Sequence, residues 1–362
     1  MKSVSWELIE PGVMRKKEFD LPEIGPQDLL MKVNMVTICG SDPKAYEGKL
    51  KKPIFPIILG HEMAGTVAEI GEEALKIYKV SKGDRITVEP YIACGHCKYC
   101  LSGYYQLCKF SMCYGISISS SVYPHIWGAY GEYMYVASGS FVYKLEDGIS
   151  DEAGCYSSIL GNGFRFITTK AGLKPQEDVL ILGPGAIGLA TIIAAKESGA
   201  GQIIVAGLSG KDEVKFTLAK KFGADYIVRV DEEDLVSRVK EITDGEMVDV
   251  AVECSGASSA VEQGLSSLKP LGRFVIAGIN GNKKVPITTD NFVYKELMVS
   301  GSVGQPGNVQ AAMKVINKGK YELETIVTHR FSLDEADKAI NYFMEGHPDC
   351  VRVAIIVNRE SA

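Results

Sequence analysis

The sequence predicts a two-domain α/β protein, with a β-rich domain made from both ends of the chain and a doubly wound parallel sheet between them. Three observations carry this. Residues 1 to about 155 are rich in Gly, Pro and short β-branched runs. From about 179 to 300, short apolar runs alternate with helix-length amphipathic segments, the pattern of successive βα units. A glycine loop, Gly183-Pro184-Gly185-Ala186-Ile187-Gly188, stands where the first of those runs gives way to the first helix. The expected boundaries are 1–157 with 298–362 for one domain, and 158–297 for the other.

Taken in order, Leu29–Val33 and Gly65–Ile70 read as short strands, punctuated by turn signals at Gly71-Glu72 and Lys82-Gly83-Asp84. In the middle region, strands are expected at Val179–Leu182, Ile203–Ala206, Tyr226–Val228, Val248–Val252, Arg273–Ala277 and Met298–Ser300. Helices are expected between them at Ala186–Ser198, Asp212–Phe222, Glu233–Thr243 and Ala257–Leu268. Strands that are apolar throughout belong in a sheet covered on both faces. The tail carries two helix-like pieces, Asn308–Lys318 and Leu333–Glu345, then a strand-like Val351–Val357. It is expected to pack back on the first domain.

Composition excludes several classes. The chain has 362 residues, 46% of them hydrophobic, with 39 Lys+Arg against 45 Asp+Glu, a net charge of −6. It is too apolar to be disordered, and a mildly acidic chain is a poor nucleic-acid binder. Its apolar runs are too short to span a bilayer. The N-terminus shows no signal-peptide pattern, and nine cysteines cannot all pair within one chain. These features predict a cytoplasmic protein whose clustered cysteines serve metal chemistry.

The glycine loop points to a dinucleotide. Gly183 allows the tight turn, Gly185 lets bare backbone approach a pyrophosphate, and Gly188 lets helix and strand pack closely. Ala186 and Ile187 open a helix whose N-terminus attracts phosphate. An acid at the end of the next strand would bind the ribose 2′-OH of NAD. Gly207 stands there instead, followed by Ser209 and Lys211, both suited to a 2′-phosphate. The reading favours NADP(H) over NAD(H); the alternative is that Asp212 swings round and serves NAD.

Cys94, Cys97, Cys100 and Cys108 form a lobe at 90–110 whose spacing suits a closed, structural four-thiolate zinc site. An iron–sulfur site is the alternative. His96, inside the lobe, is expected to be exposed rather than a ligand. Upstream, Cys39-Gly40-Ser41-Asp42 precedes Gly60-His61-Glu62 by about 20 residues. Cys39, His61 and Glu62 suit an open, catalytic zinc site. Asp42 is suited to hold the His61 ring. Ser41 is placed to hydrogen-bond a substrate alcohol and carry off its proton.

The order of these motifs resembles the zinc-dependent medium-chain dehydrogenase/reductase family, nearest its polyol (sorbitol-like) and threonine dehydrogenase branches. Further echoes are Gly83-Asp84-Arg85-Ile86, Gly131-Glu132-Tyr133, Glu253-Cys254-Ser255-Gly256 and Phe331–Ala336. The resemblance implies a GroES-like catalytic domain, a Rossmann domain, two zinc ions per chain and a homo-oligomer, dimer or tetramer. It implies reversible hydride transfer between a small alcohol or carbonyl substrate and a nicotinamide, with no nucleic-acid or membrane partner. Two departures stand out. The family's further metal ligand falls on Ser158, with Cys155 three residues off, so Ser158, Cys155 or water is left to complete the shell. Lys44 replaces a family histidine that relays protons. Alternatives are an NAD-dependent polyol or threonine-type enzyme, a carbonyl or alkene reductase without catalytic zinc, and a nucleotide-binding protein without activity. The aromatic segment Ser111–Tyr130 reads equally as a substrate entrance or a packed loop, and Tyr46 and Tyr91 are pocket candidates by position.

Overall fold

The computed structural model describes residues 1–50 and 54–358. The chain divides into two compact units, Met1–Ser158 with Ala312–Ala362, and Ile159–Ala311.

In the first unit, the strand Leu29–Thr37 is the centre of a mixed sheet ordered Val327–Ser332, Arg352–Ile356, Leu29–Thr37, Met63–Ile70, Arg85–Val88, Val142–Lys144. Tyr133–Val136 pairs with the first half of Leu29–Thr37, and Arg352–Ile356 with its second half. Eight of its nine residues are buried, because neighbours cover both edges and side chains cover both faces. A three-stranded sheet, Val13–Asp20, Lys2–Glu10 and Ile57–Ile58, completes the β-rich unit. The turn at Lys82-Gly83-Asp84 forms as expected: Gly83 takes φ +91°, and Asp84 accepts the Ser81 N–H at 2.8 Å.

The second unit is a six-stranded parallel sheet. Its order is Tyr226–Arg229, Ile203–Gly207, Val179–Leu182, Val248–Glu253, Leu268–Ile276, Met298–Gly301. This is the doubly wound order with its switch point beside Val179–Leu182. Helices Ala186–Glu197, Glu213–Phe222, Leu235–Ile242 and Ser258–Ser266 fall where the amphipathic segments stood. Two expectations are corrected. The helix ends at Ser266, and the following strand begins at Leu268 rather than Arg273. The chain also leaves this unit at 311/312 rather than 297/298, and enters it at 158/159. Met298–Gly301 pairs with Arg273–Ile276 as the last parallel strand, and a four-residue apolar run does not announce which sheet it joins. Among the described residues no helix is long and apolar enough to cross a membrane.

Candidate functional site

The open metal cluster arises from a strand pairing. Antiparallel pairing of Val36 with Met63 brings the end of Leu29–Thr37 beside the start of Met63–Ile70. The Thr37 N–H donates to the Glu62 carbonyl at 2.8 Å. Cys39, just past the first strand, therefore meets His61 and Glu62, just before the second. Their donor atoms lie within 4.8 Å of one another.

Asp42, in the helix Ser41–Tyr46, turns back under this cluster. Its Oδ2 accepts the Cys39 N–H at 2.8 Å, and its Oδ1 lies 3.5 Å from His61 Nδ1. That orientation leaves His61 Nε2 to face the cluster, where Ser41 Oγ stands 3.4 Å away. Burial pushes the His61 imidazole pKa down, so the ring stays neutral and its nitrogen free to ligate. Burial also pushes the Asp42 carboxyl up, against the pull of His61 and the Cys39 N–H.

Glu62 is held on both sides: Thr37 Oγ1 donates to its Oε2 at 2.8 Å, and Arg352 forms a buried ion pair with the same oxygen. No sequence motif marks Arg352; its one signal is that it is a lone charge in the apolar run Val351–Val357.

Cys155 does not join the cluster. Its buried thiol donates to the Met35 carbonyl at 3.4 Å. Ser158 lies buried in the helix Ser157–Phe164. The segment Ser111–Tyr130 is a packed loop. Tyr114 and Tyr130 are fully buried, Trp127 Nε1 donates to the Val122 carbonyl at 2.9 Å, and His125 stacks on Phe19. Tyr130 OH reaches Asp42 Oδ2 at 3.4 Å. Tyr46 points elsewhere, its hydroxyl on the Gly12 carbonyl.

The four cysteines of the lobe also converge, with sulfurs within 4.8 Å of one another. Gly95, at φ +75°, makes the turn between the first two. Cys97 caps the short helix Lys98–Leu101 and accepts the Cys100 N–H. Backbone N–H groups of Cys100 and Lys109 pull the Cys97 thiol down to about 6. Desolvation leads in pushing Cys100 up to about 12, and the neighbouring sulfurs add to it. Clustered sulfurs cannot all ionise without a cation among them, which is the chemistry a four-thiolate zinc site supplies. His96 is exposed, with its Nδ1 2.7 Å from the Cys94 carbonyl.

In the second unit, the glycine loop borders a cavity of about 420 Å³. Gly183 takes φ +100°, and a Cβ there would meet Ser255 at 2.8 Å. Gly185 caps the helix that Ala186 and Ile187 begin, and a Cβ on it would stand in open space. A Cβ on Gly188 would lie 2.0 Å from the Gly183 carbonyl. Glu253 secures the opposite wall by accepting the Ser255 and Gly256 N–H groups at 2.6 and 2.7 Å.

Gly207 is glycine for packing reasons: a Cβ would lie 2.9 Å from both the Phe216 ring and Pro184. Lys211 lines the cavity. Ser209 does not: its N–H and hydroxyl both donate to Asp231. Asp212 is committed too, accepting the Leu208 N–H at 3.0 Å and Lys215 Nζ at 2.8 Å. Lys215 therefore joins Lys211 on the cavity wall in place of Ser209. No sequence motif marked Lys215; it reaches the wall because it lies one helical turn beyond Asp212.

Fold and sites together define a two-unit protein with a dinucleotide-type loop and two metal-type donor clusters. Comparison with known proteins sharpens that class. The alcohol dehydrogenase GroES-like domain matches residues 25–147, and the zinc-binding dehydrogenase domain matches residues 186–318. The D-arabitol-phosphate dehydrogenase of Enterococcus avium is 33% identical over 362 residues, covering 99% of this chain and 98% of the relative. The L-threonine 3-dehydrogenase of Pyrococcus horikoshii is 34% identical over 338 residues, 91% of each chain. A zinc-binding dehydrogenase from Sinorhizobium meliloti 1021, solved bound to NADP, superposes with a TM-score of 0.86 at 29% identity, covering 98% of this chain and 99% of that one. The chain belongs to the zinc-type medium-chain alcohol dehydrogenase family.

Proposed function

We propose that this chain is a zinc- and NADP(H)-dependent dehydrogenase acting reversibly on a polyol or another secondary alcohol. The observation that carries the reading is the convergence of Cys39, His61 and Glu62 within 4.8 Å, with Asp42 behind His61. A thiolate, a neutral imidazole and a carboxylate form a donor set that fits zinc. With Cys155 turned to Met35, three protein donors leave the fourth position open, as a catalytic site requires.

Zinc, when bound, supplies Lewis acidity that makes a substrate hydroxyl more acidic. The chain supplies the rest. Asp42 holds the His61 ring with Nε2 inward. Ser41 Oγ, 3.4 Å from that nitrogen, accepts the hydroxyl proton as its own proton passes to solvent. Arg352 and Thr37 hold the Glu62 carboxylate in place. Cys94, Cys97, Cys100 and Cys108 hold a second, structural zinc.

Three features support NADP(H): no acid fits at Gly207, Lys211 and Lys215 line the cavity, and the Sinorhizobium relative holds NADP. The polyol class draws support from the relative named for D-arabitol phosphate. The nine free thiols are consistent with a reducing, cytoplasmic setting. A homo-oligomer is supported by the edge strand Met298–Gly301, where Met298 and Val299 are exposed beside Val293 and Tyr294.

Metal analysis tests the reading together with kinetics on a panel of polyols and simple alcohols. Two zincs per chain, loss of alcohol oxidation in Cys39→Ser, and higher kcat/KM with NADP than with NAD are expected. Full alcohol oxidation by Cys39→Ser sinks the zinc mechanism. A clear preference for NAD sinks the cofactor assignment.

A further inference from the structure

Tyr130 touches both segments that carry the open metal cluster. Its backbone N–H donates to the Leu59 carbonyl at 2.9 Å, and the Ala129 N–H donates to the Gly60 carbonyl at 3.0 Å. Its ring lies against Gly60, where a Cβ would come within 2.5 Å of the ring edge. Gly60 takes φ +93° and immediately precedes His61, so the ring backs the turn that presents the imidazole. Its hydroxyl crosses to the other segment and donates to Asp42 Oδ2 at 3.4 Å. The whole side chain is buried, with 0% exposure.

The position of Asp42 explains why this matters. Asp42 is the carboxylate that faces the His61 ring, with its Oδ1 3.5 Å from Nδ1. Its other oxygen accepts the Cys39 N–H, but that donor lies only three residues away and moves with it. Tyr130 is 88 residues distant in sequence and anchored by its own backbone bonds, so it ties the carboxylate to a separate part of the fold. A phenylalanine would fill the same space and seat Gly60 equally well. The hydroxyl is therefore the part that acts on Asp42.

We infer that Tyr130 is a positioning residue of the metal centre, whose hydroxyl fixes the Asp42 carboxylate and through it the His61 ring. The inference rests on the zinc reading of the cluster Cys39, His61 and Glu62. Outer partners of metal-bound histidines commonly set metal affinity by about 10- to 100-fold. Tyr130 acts one bond further out, so an effect of about 3- to 10-fold is expected.

The test is Tyr130→Phe in the full-length chain, with metal affinity as the primary readout. Zinc is competed with a chromogenic chelator, and cobalt(II) is exchanged into the sites so that its visible absorption bands report ligand geometry. The expected result is about 3- to 10-fold weaker binding at one of two sites and shifted cobalt bands. The four-cysteine metal and the thermal midpoint stay unchanged. Wild-type affinity and cobalt bands in a folded Tyr130→Phe overturn the inference.

A double-mutant cycle with Asp42→Asn gives a second decision. If Tyr130 acts through Asp42, its effect shrinks once Asp42 is altered; strict additivity overturns the inference. A wild-type chain that takes up only one metal overturns the zinc reading and the inference with it. Two metals in the wild type and an indifferent Tyr130→Phe overturn the inference alone.

Discussion

Glu89 offers a test in which structure sets both sign and size. Its carboxyl is 1% exposed, just past the strand Arg85–Val88. Tyr105 OH and Tyr143 OH each approach one of its oxygens at 2.7 Å. No cation is bonded to it among the described residues. Burial therefore dominates and lifts its pKa from 4.5 to about 7, although both tyrosine hydrogen bonds pull the other way. An acid with a raised folded pKa holds more protons when folded than when unfolded. Stability from this group is greatest below about 4.5 and falls as pH rises through about 7. At about 1.4 kcal/mol per pH unit, the full loss is about 3 kcal/mol.

Glu89→Gln mimics the protonated acid: its oxygen accepts from one tyrosine and its NH₂ donates to the other. The substitution is expected to be near neutral at pH 5 and to stabilise by about 3 kcal/mol at pH 8. Thermal midpoints of wild type and variant across that range provide the assay. Tyr105 belongs to the four-cysteine lobe, so zinc retention by the lobe is measured alongside. A pH-independent difference between the two proteins, or a variant less stable at pH 8, refutes the reasoning.

Three further expectations concern Lys215 and Ser209 near the cavity and Arg352 behind the metal cluster. Lys215→Ala is expected to raise the KM for NADP about tenfold, equivalent to one charge-assisted contact of about 1.4 kcal/mol, with little change for NAD. Ser209→Ala, with its hydroxyl committed to Asp231, is expected to change neither; a loss of NADP affinity in Ser209→Ala alone contradicts the cavity assignment. In the metal-free chain, Arg352→Met leaves the buried Glu62 carboxylate without a counter-charge, at a cost of about 3–5 kcal/mol. The thermal midpoint should drop, and Glu62→Gln in the same chain should recover part of it; an unchanged midpoint shows that the pair is not held as described.

Local signals were legible because they are short-range. Gly183, Gly185 and Gly188 act within one strand-turn-helix, where steric limits on a Cβ operate over a few residues. The four lobe cysteines lie within 15 residues, so spacing alone made a shared ion plausible. The three central strands of the parallel sheet, Ile203–Gly207, Val179–Leu182 and Val248–Glu253, show as apolar runs because both faces of each are covered. The sequence places the exit of the chain from that unit at 297/298, whereas Met298–Gly301 pairs with Arg273–Ile276 and the exit falls at 311/312, because pairing depends on a neighbouring strand.

Residue types and their spacing carry the available chemistry: thiols in pairs, a glycine loop between strand and helix, and a cysteine, histidine and carboxylate of the right kinds. Which side chains serve that chemistry depends on long-range packing. Arg352 reaches Glu62 across 290 residues and Tyr130 reaches Asp42 across 88, contacts that no local pattern encodes. Gly207 reads in sequence as a missing acid, yet its glycine is required by the Phe216 ring and Pro184. Ser209 and Lys215 exchange roles for a similar reason: hydrogen bonding to Asp231 removes one from the cavity, and helical spacing from Asp212 delivers the other. Chemistry belongs to residue types, whereas partnership belongs to positions in space, and long-range packing alone sets those positions.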